Sequence, residues 1–378
     1  MENILIIAAS LITAIMLGRI IIPNILIISL RKRLFDVPDA RKVHKRPIPR
    51  LGGVTFFPVI VFTVCAFTSA RLLTGQMAPG ELNINMVSEL LLLIAGLTLL
   101  YIIGIADDMI GVRYRKKFLV QIISAALFPA SGLYINNFYG LFGIYEVIPA
   151  IGIPLTILLI VFITNAINLI DGIDGLASGL SMVALSVFGA IFIHYERWIL
   201  ALLAFVCVGV IIPFFAYNVF GNADRGRKIF MGDTGSLTLG YILSFFVIQY
   251  CMYRGDTPWK AAGSPILTAF SVLMIPCLDV VRVILKRARQ GKGLFMPDRN
   301  HIHHKFLDMG FTPRKAMVTI QIMSACFCVF TMLAVHYDMN NTLVFIIDIV
   351  VWSGLNLWFD KVINKKKEQT NILYNHNK

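Results

Sequence analysis

Apolar runs long enough to cross a bilayer recur along nearly the whole chain, at roughly 4–30, 53–70, 88–106, 118–135, 148–169, 176–194, 198–220, 234–253, 262–285, 316–336 and 342–360. A helix of about 20 apolar residues spans ~30 Å of hydrocarbon. There every backbone N–H and C=O must be satisfied inside the segment, so runs of this length cross as helices. The sequence is 57% hydrophobic and 15% charged, with a mean hydropathy of +0.77. Too little polar surface remains to cover a soluble core. The expected fold class is an all-α integral membrane protein with about eleven transmembrane helices.

Orientation follows from the basic residues. The breaks after odd-numbered runs, with the tail, hold 28 Lys and Arg, whereas the remaining breaks hold Arg71, Arg197, Arg254 and Lys260. The positive-inside rule then predicts an outer N-terminus and a cytoplasmic C-terminus. Segments 31–50, 107–117, 170–175, 221–233 and 286–315 become cytoplasmic loops of one membrane domain over 1–360, followed by a basic cytoplasmic tail over 361–378. The first run lacks a basic leader and a small-residue cleavage site, and it is too long for a signal peptide, so it reads as a span. Cys65, Cys207, Cys251, Cys277, Cys326 and Cys328 all sit within apolar runs without metal-type spacing and read as core filler. The net charge of +13 is accounted for by the same rule and by attraction to anionic headgroups. Nucleic acid is not an expected partner. Lys365, Lys366 and Lys367 read as an interfacial anchor.

Carboxylates are scarce in this chain, and several of them cluster in the breaks. Ala106-Asp107-Asp108 closes the third run, ahead of Arg113-Tyr-Arg115-Lys116-Lys117. Adjacent carboxylates repel and call for a cation or a basic partner. Asn165-x-x-Asn168-x-x-Asp171-x-x-Asp174 repeats an oxygen-bearing side chain every three residues, which predicts one helical stripe. A polar seam between helices would use such a stripe. A hard divalent cation, completed by phosphate oxygens, fits it better. Asp233, between glycines in Met231-Gly-Asp-Thr-Gly-Ser236, is placed to add a ligand.

His301, His303 and His304 follow Asp298-Arg299. Their spacing differs from the i, i+4 pattern of a helical zinc site. With Arg299 beside them, hydrogen bonding to phosphate or sugar hydroxyls is favoured over zinc. Val43-His44-Lys45-Arg46-Pro47-Ile-Pro49-Arg50-Leu-Gly52-Gly53 is a basic loop stiffened by proline, in which His44 and Arg50 are candidates to clamp a phosphate. All of these elements fall on the side assigned to the cytoplasm. A transporter would instead set its charges near mid-bilayer on interrupted helices, where each costs at least ~2.5–3.5 kcal/mol on insertion scales.

These motifs resemble those of the polyprenyl-phosphate N-acetylhexosamine-1-phosphate transferases of glycosyltransferase family 4 type. The likeness runs in order from Pro47–Gly53 through Asp107-Asp108, Asn165–Gly175, Phe230–Ser236 and Pro276-Cys-Leu-Asp279 to Pro297–His304. Within that family it is most similar to the branch that starts O-antigen, enterobacterial common antigen or teichoic acid linkage units. The resemblance implies transfer of GlcNAc-1-phosphate from UDP-GlcNAc to undecaprenyl phosphate with Mg²⁺ or Mn²⁺, releasing UMP. It implies a bacterial inner membrane location, with a second copy of the chain as a candidate partner.

By the same resemblance, Asn168 and Asp233 would hold the metal. Asp171 and Asp174 would serve the nucleotide and the chemistry, and Asn165, in the same stripe, would bind substrate. Asp107 and Asp108 would lie near the lipid phosphate, with Asp108 orienting the acceptor. Lys117 falls at a basic position of the family, and Arg299 with His301, His303 and His304 would meet sugar and pyrophosphate. Met109-Ile110-Gly111 stands where many members carry a third acidic residue. The branch that uses UDP-MurNAc-pentapeptide commonly shows three consecutive histidines, which Ile302 interrupts here.

Overall fold

The computed structural model describes residues 2–32, 34–36, 48–77, 80–252, 264–291, 293 and 300–376, with side chains to 369. Its helices are α1 (Glu2–Arg31), α2 (Phe56–Leu73), α3 (Ile84–Ile110), α4 (Tyr114–Ala130), α5 (Pro149–Ile170), α6 (Leu176–His194), α7 (Trp198–Val219), α8 (Gly232–Cys251), α9 (Pro265–Arg289), α10 (Ile302–Asp308), α11 (Pro313–His336) and α12 (Asn341–His376). Every expected apolar run becomes one of these, and α10 is a short addition. Among the described residues, ten helices are long and apolar enough to cross a membrane. The run at 118–135 gives a shorter α4 of 17 residues, because Pro129 and the left-handed Gly132 (φ 84°) close it early.

Two short antiparallel ladders lie between the helices. Strands β1 (Phe35–Asp36) and β2 (Ile48–Pro49) pair Phe35 with Pro49 and Asp36 with Ile48. Strands β3 (Asn137–Leu141) and β4 (Ile144–Glu146) form a hairpin turned by Phe142-Gly143, both at positive φ.

Helix α8 is the axis of the bundle. Every residue from Thr234 to Cys251 is buried, with α3, α5 and α9 packed around it. The approach depends on small residues, as is usual where lipid offers no hydrophobic drive for helix association. A Cβ added at Gly104 of α3 would strike the Thr234 backbone, and one at Gly240 would strike Thr164 of α5. The Tyr241 hydroxyl donates to Ser124 O at 2.7 Å, tying α8 to α4. This axis brings the start of α8 against the ends of α3 and α5, at one end of the bundle.

Candidate active site

Helix α3 ends at Gly111 (φ 72°), whose N–H closes on Asp107 O at 3.0 Å. Asp107 Oδ1 accepts from Val112 N at 2.6 Å, and its Oδ2 accepts from Lys117 Nζ at 3.3 Å. The same ammonium is ion-paired with Asp233 Oδ2. Lys117 is thus the bridge between the third-run acidic pair and the Gly-Asp-Thr-Gly motif.

Asp108 has a different task. Its Oδ1 accepts from Asp233 N at 2.8 Å, and its Oδ2 accepts from Thr234 N at 2.9 Å and Thr234 Oγ1 at 2.6 Å. These N–H groups belong to the first turn of α8, which has no partner within its own helix. Asp108 therefore caps α8 from another helix, where the positive end of the helix dipole favours a carboxylate. The sequence reading has Asp108 orient an acceptor; in the structure both of its oxygens are turned to the α8 backbone and Thr234. Gly232 (φ 71°) permits the contact, since a Cβ there would overlap Arg50 O and the Asp108 carboxylate.

Residues Pro49–Gly53 run beside the same turn. Phe230 N donates to Pro49 O at 2.7 Å, Gly52 N to Phe230 O at 2.9 Å and Gly53 N to Met231 O at 2.8 Å. Arg50 is thereby placed at the site through its backbone. His44 and Arg299 lie outside the described residues.

From α5, Asn168 Nδ2 donates to Asp233 Oδ1 and to Ser236 Oγ, each at 2.8 Å. Its Oδ1 has no partner among the described residues. Asn165 does not join it. Its amide is paired with Gln121 of α4, Nδ2 to Oε1 at 2.7 Å and Gln121 Nε2 to its Oδ1 at 3.3 Å. Asn165, expected to bind substrate, ties α4 to α5 in the structure, its amide paired with Gln121 one turn below Asn168.

Helix α5 ends at Asp171, so the three-residue stripe stops there and Asp174 belongs to the following turn. Asp174 Oδ2 accepts from Lys228 Nζ at 2.5 Å. Asp171 has no hydrogen-bond partner among the described residues. Its carboxyl is pushed up to about 7, first by withdrawal from water and then by the negative charges of Asp233, Asp174 and Asp108. A carboxyl whose folded value is raised loses stability as pH rises from its ordinary value near 3.8 through about 7. Asp171→Asn is thus expected to raise the thermal midpoint of chelator-treated protein, most above pH 7 and progressively less toward pH 4. Tryptophan fluorescence melts across that range check it, and a midpoint unchanged at pH 8 would refute it.

The histidines open α10. His301 Nδ1 pairs with Asp279 Oδ2 at 2.9 Å, and Asp279 Oδ1 accepts from Ile302 N at 3.0 Å and Arg282 Nη2 at 2.6 Å. The buried Asp279 on α9 is a positioning residue for this helix. Sequence reasoning assigned it no role, although a carboxylate inside an apolar run was the available signal. His303 is 2% exposed, its Nδ1 has no partner among the described residues, and burial pushes its ring down to about 3. It is neutral at pH 7 and offers hydrogen bonding rather than charge.

The ring of His303 lies on Gly172, where an added Cβ would overlap it. Gly172→Ala is expected to lower turnover about tenfold by displacing this ring, since a 1 Å misplacement near the chemistry costs on the order of 10²-fold. Steady-state rates of purified Gly172→Ala against wild type check this, and unchanged rates refute it.

Asp107 and Asp233 therefore meet Lys117 at one end of the bundle, with Asp108 on the adjoining α8 turn and Asp171 within electrostatic reach of Asp233 and Asp108, so that carboxylates are in excess. Among the described residues no three His, Cys, Asp or Glu side chains converge to hold an ion alone. The donor set nonetheless suits Mg²⁺, which keeps several waters and takes one or two carboxylates plus substrate phosphates. Asp233, the open amide oxygen of Asn168 and the unpartnered Asp171 are the hard oxygen donors on offer.

A glycosyl transferase family 4 profile matches residues 90–251. The chain is 32% identical over 300 residues to the undecaprenyl-phosphate alpha-N-acetylglucosaminyl 1-phosphate transferase of Yersinia pestis, covering 79% of this chain and 76% of that protein. It is 30% identical over 329 residues to the probable undecaprenyl-phosphate N-acetylglucosaminyl 1-phosphate transferase of Bacillus subtilis (87% and 85%). Against the Escherichia coli K12 protein with the same name as that of Yersinia, identity is 31% over 294 residues (77% and 74%).

Proposed function

The chain belongs to glycosyl transferase family 4, and from that premise we propose that it transfers GlcNAc-1-phosphate from UDP-GlcNAc to undecaprenyl phosphate. The products are undecaprenyl-diphospho-GlcNAc and UMP, the first membrane step of a cell-envelope glycan. The site faces the cytoplasm from the bacterial inner membrane, where a soluble nucleotide sugar and a lipid phosphate can meet. The supporting observation is the convergence of Lys117, Asn168, Asp171 and Asp233 beside His303 at one end of the bundle.

The acceptor is a phosphate monoester with a second pKa near ~6, so it is largely dianionic at pH 7 and already nucleophilic. One of its oxygens attacks the phosphorus that carries the sugar, and the bond from that phosphorus to the UMP oxygen breaks. No general base is required. The obstacle is assembling several anions, and positioning with electrostatics meets it, as in phosphoryl transfer generally. Bound Mg²⁺ or Mn²⁺ would neutralise charge on the donor pyrophosphate. Asn168, Asp171 and Asp233 are the residues to hold it. Lys117 keeps Asp107 and Asp233 together, Asp108 fixes the turn that presents Asp233, and His303 and His301 hydrogen-bond the donor.

Purified protein with Mg²⁺ and undecaprenyl phosphate is expected to release UMP from UDP-GlcNAc and not from UDP-MurNAc-pentapeptide. Turnover of the pentapeptide donor would move the chain to the other branch. Silence with both, together with lipid or solute movement, would favour a transporter.

A further inference from the structure

Of 34 lysines and arginines, two lie inside the apolar runs, Arg282 and Arg19. Arg282 is accounted for by Asp279 and by Asn300 O at 2.5 Å. Arg19 is exposed on α1 and has no ion pair or hydrogen bond among the described residues. A lipid-facing charge in a span is costly and marks a functional position unless something pairs with it.

Helices α1 and α7 lie side by side and run the same way. Gly209 packs on Leu11 and Ala14, Gly18 on Pro213, and Leu30 reaches Gly226. Arg19 is therefore level with the last turn or two of α7, about 7 Å below its end at a rise of ~1.5 Å per residue. A guanidinium on a long stem bridges that depth by snorkelling to the headgroup level. There it meets Arg225 and Arg227 around a cavity of about 510 Å³. Ile15, Ile212 and Tyr217 contribute apolar wall, and among the described residues no carboxylate lines the cavity. Arg225 and Arg227 are exposed, and their guanidinium groups likewise have no ion pair or hydrogen bond among the described residues.

We propose that this cavity binds the phosphate headgroup of an anionic phospholipid from the surrounding bilayer. Guanidinium forks match phosphate oxygens, and the apolar wall continues into the lipid-facing surface of α1, where acyl chains would lie. The carrier lipid is not the occupant. Helix α7 stands between the cavity and the carboxylate cluster, with Phe214 against Gly52 and Asn218 Oδ1 accepting from Gly175 N at 2.7 Å. A headgroup held here braces the 220–231 loop, in which Lys228 reaches across to Asp174.

The test uses the full-length protein in detergent and does not depend on turnover. Native mass spectrometry with phosphatidylglycerol, phosphatidylcholine and undecaprenyl phosphate gives retention of each lipid. Wild type is expected to retain phosphatidylglycerol over phosphatidylcholine, and Arg19→Gln, Arg225→Gln and Arg227→Gln to weaken that retention by about fivefold each. Lys365→Gln, on the tail helix, should leave it unchanged. Lipid-free thermal midpoints equal to wild type establish that the variants fold. For wild type itself, phosphatidylglycerol should raise the midpoint, and the rise should vanish in high salt. Equal retention of the two phospholipids, no effect of Arg19→Gln, or displacement of phosphatidylglycerol by undecaprenyl phosphate would overturn the assignment.

Discussion

Asp233→Asn is expected to lower kcat by about a thousandfold or more, the scale of losing a preorganised electrostatic contact at a reacting centre. Asp233 receives Asn168 Nδ2 at 2.8 Å on one oxygen and Lys117 on the other. An amide in its place must turn an NH₂ group toward one of these two donors. Either orientation sets donor against donor, and the negative charge that holds Lys117 is lost. The effect should fall on turnover with little loss of fold, because the remainder of α8 is unaltered. Turnover and thermal midpoint measured on the same preparation separate the two, and near-normal activity would remove Asp233 from the site.

Asp108→Asn should lower turnover about a hundredfold and, unlike the Asp233 change, also destabilise the protein. Losing a charged helix cap costs about 2 kcal/mol. The variant amide retains one acceptor where Asp108 offers two oxygens to Asp233 N, Thr234 N and Thr234 Oγ1. Its NH₂ would face backbone donors. Asp108 acts through α8 rather than on substrate, so kcat should fall while KM for the nucleotide sugar holds. Thr234→Val should add little on top of Asp108→Asn, since both remove the same cap. Full additivity, or a loss confined to KM, would return Asp108 to direct substrate contact.

The spans were legible because hydropathy is a local property, summed over one segment. The site was legible as a set of charged breaks, because its carboxylates fall in short motifs beside basic residues on the side of the bundle where lysine and arginine are concentrated. What was hidden is pairing across the chain. Asn165 and Asn168 look equivalent in the stripe, yet one pairs with Gln121, 44 positions away, and the other with Asp233, 65 away. Asp107 and Asp108 look interchangeable, but adjacent residues on a helix point about 100° apart. One reaches Lys117 and the other reaches α8, 125 positions on. Asp279 could be noticed as a buried charge, but its partner His301 follows a segment with no span of its own.

Helix α8 is the least apolar of the candidate spans and has no lipid-facing side from Thr234 onward. Lipid therefore rewards its insertion less than that of any other span, and its neighbours hold it in place. In biogenesis α8 would settle only once α3 and α5 offer Gly104 and Thr164 to its small residues. Asp233 reaches Lys117 and Asn168 in that same event, so a half-assembled bundle displays no working site to the nucleotide pool.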